Sequence, residues 1–463
     1  MRTTTTPRLC GGTTPHTPRR PFRPIPRRIA AVTAAAIVGL VPAACTAGKS
    51  ESSDSGPGAG EKQTIQVWHG WSADHEVKGF EQAVDGFRRK HPNITVKVTG
   101  NQTDDQITNA IRGGNPPDVV ASFTTDNLGQ FCQSGAWQEL TPRIKRDKVD
   151  LGLFPKAVQD YTQFKGKRCA LPVLADAYGL YYNKKLMKGH APPKTMSELA
   201  ELAKKLTVRN PDGSIKVAGF MPSVQYYEHT PQHIATSFGV KWLTPDGRAN
   251  FSKDPAFKAY LKWVKDLLDW YGYDKARAFM KTMGQEFEAS NPFQKDKVAM
   301  AVDGEWRTKF IEKEAPGLDY GTAPAPVADD KPQLYGGGFT LGTIMGIPRG
   351  AKHNQAAWEF VRYLTTDTDA LVTLANALGN VPSTLPALAS PKLRLPAQFG
   401  TFLGVFKHPA TTTSPSSPNG GDYMVKFQQF AQDQWEPGKV KDLDKGLRDL
   451  DVKIDKSLDL AGG

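Results

Sequence analysis

The stretch "PPDVVASFTTDNLGQF" (116–131) decides the fold. Its first half (116–123) is almost wholly apolar, which predicts a short strand buried on both faces, as in a sheet covered by helices. Its second half turns polar at once, and Asp126 stands where a helix would begin. Outward from this point strands and helices alternate. Upstream, "TIQVW" (64–68) has the β-branched alternation of a strand. "DHEVKGFEQAVDGFRRKHP" (74–92) then sets Phe80, Val84 and Phe87 on one helical face before Pro92 closes it. "ITVKV" (94–98) reads as another strand, and "DDQITNAIRGG" (104–114) as a short helix ended by glycine. Such alternation predicts an α/β fold.

Downstream the style repeats without the sequence repeating. "YGLYYN" (178–183) is a strand and "TMSELAELAKKL" (195–206) a helix that Thr195 or Ser197 can cap. "DPAFKAYLKWVKDLLDWYGY" buries Phe257, Leu261, Val264 and Leu268 on one face. "KVAMAVDGEW" reads as a strand entering a helix and "DYGTAPAP" as another strand, followed by a glycine-rich crossing (334–348) and then mainly helices. No repeat of fixed period and no second linker occur, so lobes are expected rather than beads on a string.

The N-terminus predicts the compartment. Residues 1–44 carry seven arginines and no acid, and an apolar run of thirteen residues, "IAAVTAAAIVGLV" (29–41), precedes "PAAC" ending at Cys45. This is the pattern of an export signal. A thirteen-residue helix spans only about 20 Å, too short to cross a bilayer. "AAC" resembles the end of a bacterial lipobox, whose cysteine is lipidated, although Pro42 replaces the leucine usual three residues before it. "RRPF" (19–22) faintly resembles a twin-arginine signal; the general secretory route is expected. Residues 45–62 hold no aromatic and no large aliphatic side chain and predict a flexible tether. The expected location is therefore the outer face of the cell membrane, held by lipid.

Removing residues 1–44 leaves 52 basic against 47 acidic residues, a net charge near +5 instead of +12. No basic stripe with interleaved aromatics remains, which argues against nucleic acid. Of four cysteines, Cys10 leaves with the signal and Cys45 takes the lipid. Outside the cytoplasm the remaining pair, Cys132 and Cys169, is expected to form a disulfide.

Enzyme signatures fail on inspection. "HEVKG" begins like a zinc-protease helix, but Gly79 stands where the second histidine is required. "YGGGFTLG" has Leu341 at the last glycine position of a dinucleotide loop, and neither a GxSxG elbow nor a Walker A loop occurs. The histidines lack ligand spacing, so neither metal nor cofactor is expected. What stands out is aromatics and lone acids at strand exits. In "QVWHGWS" (66–72), Trp68 is assigned to packing and Trp71 to a ligand. Asp126 reads either as an N-cap or as a ligand acid, and Asp176 either as a turn residue before the next strand or as a second such acid. In an open α/β sheet, ligands sit outside the carboxyl ends of the strands.

Seven segments then follow one another in a recognisable order: "VWHGW", "GFEQAVDGFRRKHPNITVKV", "PPDVVASFTTDNLGQFCQSGAWQELTP", "ALPVLADAYGLYYNKKLM", "PPKTMSELAELAKKLT", "VAMAVDGEW" and "AWEFVRYLTT". From residue 64 onward the chain resembles an extracellular solute-binding protein of the maltose-binding type, the receptor lipoprotein of an ABC importer for carbohydrate. The resemblance implies two α/β lobes of the periplasmic-binding-protein type II fold, hinged around a ligand cleft. It divides them as 63–174 plus 334–390 and 175–333 plus 391–463. It implies a monomer that delivers its sugar to membrane permease subunits.

The resemblance also implies roles. Asp126 matches an acid that binds sugar hydroxyls, with the aromatic Phe123 just upstream, and Asp176 matches a second acceptor beside the hinge. Tyr226 and Tyr227 fall in the segment supplying second-lobe aromatics, and Trp306 matches a stacking tryptophan. His69 and Trp71 lie in the first loop, and Gly337 in the glycine-rich crossing completes the set. The chemistry agrees, because a carboxylate accepts from neighbouring hydroxyls and an aromatic face covers the apolar face of a sugar ring. The competing expectation is a secreted polysaccharide hydrolase or lyase using the same aromatics with two carboxylates.

Overall fold

The structure, a computed structural model, describes residues 61–462 apart from 224–225 and 228–229; the export signal, Cys45 and most of the tether lie outside the described residues. Ten strands form one curled sheet: β1 (Gln63–Trp68), β2 (Ile94–Thr99), β3 (Val119–Ser122), β4 (Leu171–Asn183), β5 (Val208–Arg209), β6 (Ile215–Phe220), β7 (Val298–Gly304), β8 (Tyr320–Ala323), β9 (Thr340–Gly346) and β10 (Val381–Pro382). Their order is β2-β1-β3-β9-β4-β7-β6-β5, with β8 and β10 also paired to β4.

The outer pairs β1–β2, β1–β3 and β6–β7 are parallel, whereas β4 and β9 run antiparallel to each other and to their other neighbours. Parallel pairs need helical crossovers, and the amphipathic helices at 74–90 and 104–112 supply them around β1 to β3. All of β3 is buried, as its apolar run predicts.

Two cores result. The first gathers β1 to β3 with the helices Asp74–Lys90, Asn354–Thr366 and Thr368–Leu378. It also takes in Phe399, Phe402, Val405 and Phe406. The second gathers β6 and β7 with Met196–Leu206, Pro255–Tyr271 and Leu443–Gly462. β4 joins them: Leu171 to Ala177 pair with β9 in the first half, and Tyr178 to Tyr182 pair with β7 in the second. β9 crosses beside it, with Leu341 in the second core and Ile344 and Met345 in the first. The chain passes between halves on these two adjacent antiparallel strands and crosses again after Phe406, before Tyr423 enters the second core.

Two readings change. Asp176 is no turn residue: it lies inside β4, where pairing with β9 carries the extended backbone through Pro172 and the acid. The glycine-rich crossing contains a fully buried strand, β9. β6, which the sequence reading passed over, lies beside β7. Thr195 rather than Ser197 caps its helix, accepting from the Glu198 N–H at 3.2 Å while Glu198 accepts from the Thr195 N–H at 3.3 Å. Cys132 and Cys169 are joined, their Cα atoms 5.6 Å apart.

Candidate functional site

Just beyond β1, Trp71 lies in the first core. Its indole packs 5.3 Å from the Phe80 ring and 5.4 Å from Phe123, which leaves the exit of β3. Phe123 keeps 36% exposure, unusual for a phenylalanine, because its outer face looks into a cleft of about 280 Å³. From the other half Tyr227, Phe287 and Trp306 face the same cleft. Asp176 of β4, Thr343 of β9 and Asn380 lie where the two crossing strands meet it. The cleft is thus walled by aromatics from both halves and carries a carboxyl at the junction.

On the second half the rings form a continuous wall. Trp306 meets the buried Tyr178 edge-to-face at 5.5 Å and 89°, and Tyr227 lies 6.5 Å from Trp306. His233 closes the wall at 4.1 Å from Tyr178 and 5.1 Å from Tyr227. Outside the cleft, between the start of the helix Asp74–Lys90 and the 285–288 segment, a wider groove of about 900 Å³ shares Ser72 and Phe287 with it.

The junction acids are held by amides. Asn380 Nδ2 donates to Asp176 Oδ1 at 2.9 Å and to Glu305 Oε1 at 3.0 Å, and the Ala177 N–H donates to Glu305 Oε2 at 2.8 Å. Burial pushes Asp176 up to about 7 and Glu305 well above the ordinary carboxyl range. Glu76, also lining the cleft, is raised by burial while the Ala73 and Ser72 N–H groups donate to it.

The other residues singled out from the sequence lie elsewhere. Asp126 is buried in a separate cavity of about 530 Å³ with Gln232, Asn419 and Gly421. Its Oδ1 has no hydrogen-bond partner, and burial pushes its carboxyl up to about 6. It is not the N-cap of the helix Leu128–Gln133, whose cap position is Asn127. His69 is fully buried between Trp71 and Phe80; burial lowers it to about 4, so the ring is neutral packing. Tyr226 donates to the Gly284 carbonyl and lines a small pocket near Met221 and Asp303. Gly337 packs on the backbone at Ala410. Trp68 is half-buried against the first core.

Sequence reading passed over Phe287, Tyr178, His233, Asn380 and Glu305. Only Glu305 carried a signal, as the acid inside "DGEW". Stacking faces with a fixed acid suit a ring-shaped polyhydroxyl ligand. Among the described residues no His, Cys, Asp or Glu cluster has metal-site geometry, and no helix is long and apolar enough to cross a membrane.

Comparison with known proteins agrees with this architecture. The chain is 23% identical over 401 residues to the maltotriose-binding protein of Pyrococcus abyssi, covering 85% of this chain and 82% of that one. It is 25% identical over 375 residues to the maltooligosaccharide ABC transporter solute-binding lipoprotein of Streptococcus pneumoniae, covering 76% and 79%. Among solved structures, CpMnBP1 with mannotriose bound superposes with a TM-score of 0.75 at 26% identity, over 84% of this chain and 99% of that one. The maltose/maltodextrin-binding domain of Bdellovibrio bacteriovorus shares the fold with a TM-score of 0.68 at 22% identity, over 85% and 99%. Residues 73–370, well over half of the chain, match the family described as bacterial extracellular solute-binding protein. This chain belongs to that family.

Proposed function

We propose that this protein is the receptor of an ABC importer, capturing a sugar or oligosaccharide between two lobes and delivering it to membrane permease subunits without chemical change. The observation that carries the reading is the cleft itself, with Trp71 and Phe123 on one wall, Trp306 and Tyr227 on the other and Asp176 at the junction. A ligand stacked on both walls is held fully only when the halves are together, so binding favours the closed state. Relatives named for maltotriose, maltooligosaccharide and mannotriose support a carbohydrate ligand.

The lobes divide as 63–174 plus 334–390 and 175–333 plus 391–463, with 399–406 packing on the first core, and the receptor acts as a monomer tethered through lipid on Cys45 at the outer face of the membrane. Trp71, Phe123, Asp176, Tyr227 and Trp306 contact the sugar directly in this reading. Asp126 joins them if the ligand reaches its cavity, and His69, Tyr226 and Gly337 support the site from behind.

A thermal-shift screen of the mature protein over mono- and oligosaccharides tests this, because a ligand bound only by the native state raises its stability. The expected result is stabilisation by one saccharide series, with the sugar recovered intact after long incubation. Absence of any saccharide response, or hydrolysis or elimination products in stoichiometric excess over protein, would overturn it.

A further inference from the structure

Glu305 stands one residue before Trp306 in the turn that leads from β7 into the helix Arg307–Glu314, and it is completely buried. Nothing in stacking chemistry calls for an acid there. It reaches across the junction of the halves instead: Asn380 Nδ2 bridges Glu305 Oε1 and Asp176 Oδ1, at 3.0 and 2.9 Å, and the Ala177 and Val381 N–H groups donate to Glu305 at 2.8 and 3.4 Å. One amide nitrogen thus fixes two buried carboxyls beside each other, one opening on the cleft and one behind it.

We infer that Glu305 is a positioning residue for Asp176, that the two acids hold one proton between them, and that ligand capture in this cleft is consequently linked to proton binding.

Two neighbouring carboxyls removed from water do not both ionise without a counter-charge, so the pair titrates as a unit. The groups facing it supply no such charge, and Glu76 across the same cleft is itself an acid raised by burial. Asn380 is neutral, and the phenols of Tyr161 and Tyr178, from 156–161 and β4, are themselves pushed up by burial and by the two acids. Tyr181 donates to the Gly304 carbonyl at 2.8 Å, and on β9 Thr340 donates to the Asp176 carbonyl at 2.8 Å. The nearest cation along the chain, Arg307, is engaged by Asp303 at 2.7 Å. Burial accordingly moves both acids upward, Asp176 to about 7. The proton stays on the pair; no bond other than O–H is made or broken.

Closing the cleft on a ligand strips water from Asp176 and penalises its ionised form further. Ligand therefore prefers the pair with both carboxyls protonated, and binding above neutrality, where the pair holds one proton, takes up a second.

The experiment has two arms. The first follows the carboxyl ¹³C shifts of the ligand-free protein against pH. Asp176 and Glu305 should titrate together with one step near neutrality, and Asp176 should titrate by itself in Glu305→Gln. Two independent steps in the ordinary acid range would overturn the inference, and this wild-type measurement stands even where the variant fails to fold. The second arm measures binding enthalpy of the saccharide found by the screen, in buffers of different ionisation enthalpy. Wild type should show buffer-dependent enthalpy near pH 8 and at least threefold weaker binding at pH 8.5 than at 6.5, both lost in Glu305→Gln. Buffer-independent, pH-independent binding by wild type would overturn the inference. This arm rests on the sugar-receptor reading. If no saccharide binds, that reading fails, and the first arm still decides the proton.

Discussion

The indole of Trp306 occupies the space that a side chain at Gly304 would fill. A Cβ built at Gly304 lies 2.3 Å from Cη2 and 2.4 Å from Cζ3 of that ring. Glycine at the end of β7 is what lets the tryptophan fold back over the strand and present its face to the cleft. Gly304→Ala should push the ring outward, lowering saccharide affinity at least tenfold while circular dichroism stays unchanged. Calorimetric titration of the variant checks it; unaltered affinity would mean that the ring position does not matter.

Trp306→Ala removes the stacking face itself. The loss should be about 0.5–1.5 kcal/mol beyond the buried area, and tenfold or more in affinity once that area is included. Fluorescence should report the same event, since Trp71 and Trp306 line one cleft that closes. A ligand that leaves emission unchanged in wild type would argue against closure over these rings.

Glu436 makes a prediction about stability and pH. It is 5% exposed, accepts from the Ser223 hydroxyl at 3.0 Å, and burial pushes its carboxyl up to about 7. Because the folded state binds this proton more tightly than the unfolded chain, its contribution is complete below about pH 4.5 and is lost as pH rises towards 7. The loss is on the order of 3 kcal/mol. Glu436→Gln should therefore be more stable than wild type at pH 8 and no more stable at pH 4.5. Urea denaturation at the two pH values decides; equal differences at both would mean that the carboxyl is not shifted.

The bond between Cys132 and Cys169 closes a separation of 37 residues between the helix Leu128–Gln133 and the start of β4. In the loop-entropy view it contributes about 3–4 kcal/mol. Reduction, or the double Cys132→Ala and Cys169→Ala variant, should lower the urea midpoint accordingly. Intact mass after alkylation with and without reductant provides the direct count, and two freely alkylated thiols in exported, unreduced protein would refute the bond.

Cys45→Ser should release the protein from cells into the medium if lipid on that cysteine is the anchor. Fractionation identical to wild type would assign retention to something else.

The α/β alternation around 64–123 was legible because β1, the helix Asp74–Lys90 and β2 each carry their own period and β3 is a continuous apolar run, and such local burial patterns need no knowledge of distant partners. Trp71, Tyr227 and Trp306 were legible as large rings beside polar residues, and Phe123 through the family resemblance. β4 and β9 were read short or missed, since Pro172, Asp176 and the glycines at 336–338 argue locally for turns. Their extended backbone is imposed by pairing with strands more than a hundred residues away.

Local pattern alone thus determined the class of fold, the covered sheet and the supply of stacking faces, because those depend on residues a few positions apart. Tertiary structure alone decided which of them share a cavity. It parted Asp126 from Phe123, three residues along the chain but opening on different cavities, and it turned His69 into packing. It also brought Asp176, Glu305 and Asn380 from separate segments onto one amide bridge. The physical reason is that cavity lining and carboxyl protonation depend on distance and desolvation in three dimensions. A short window of sequence carries neither.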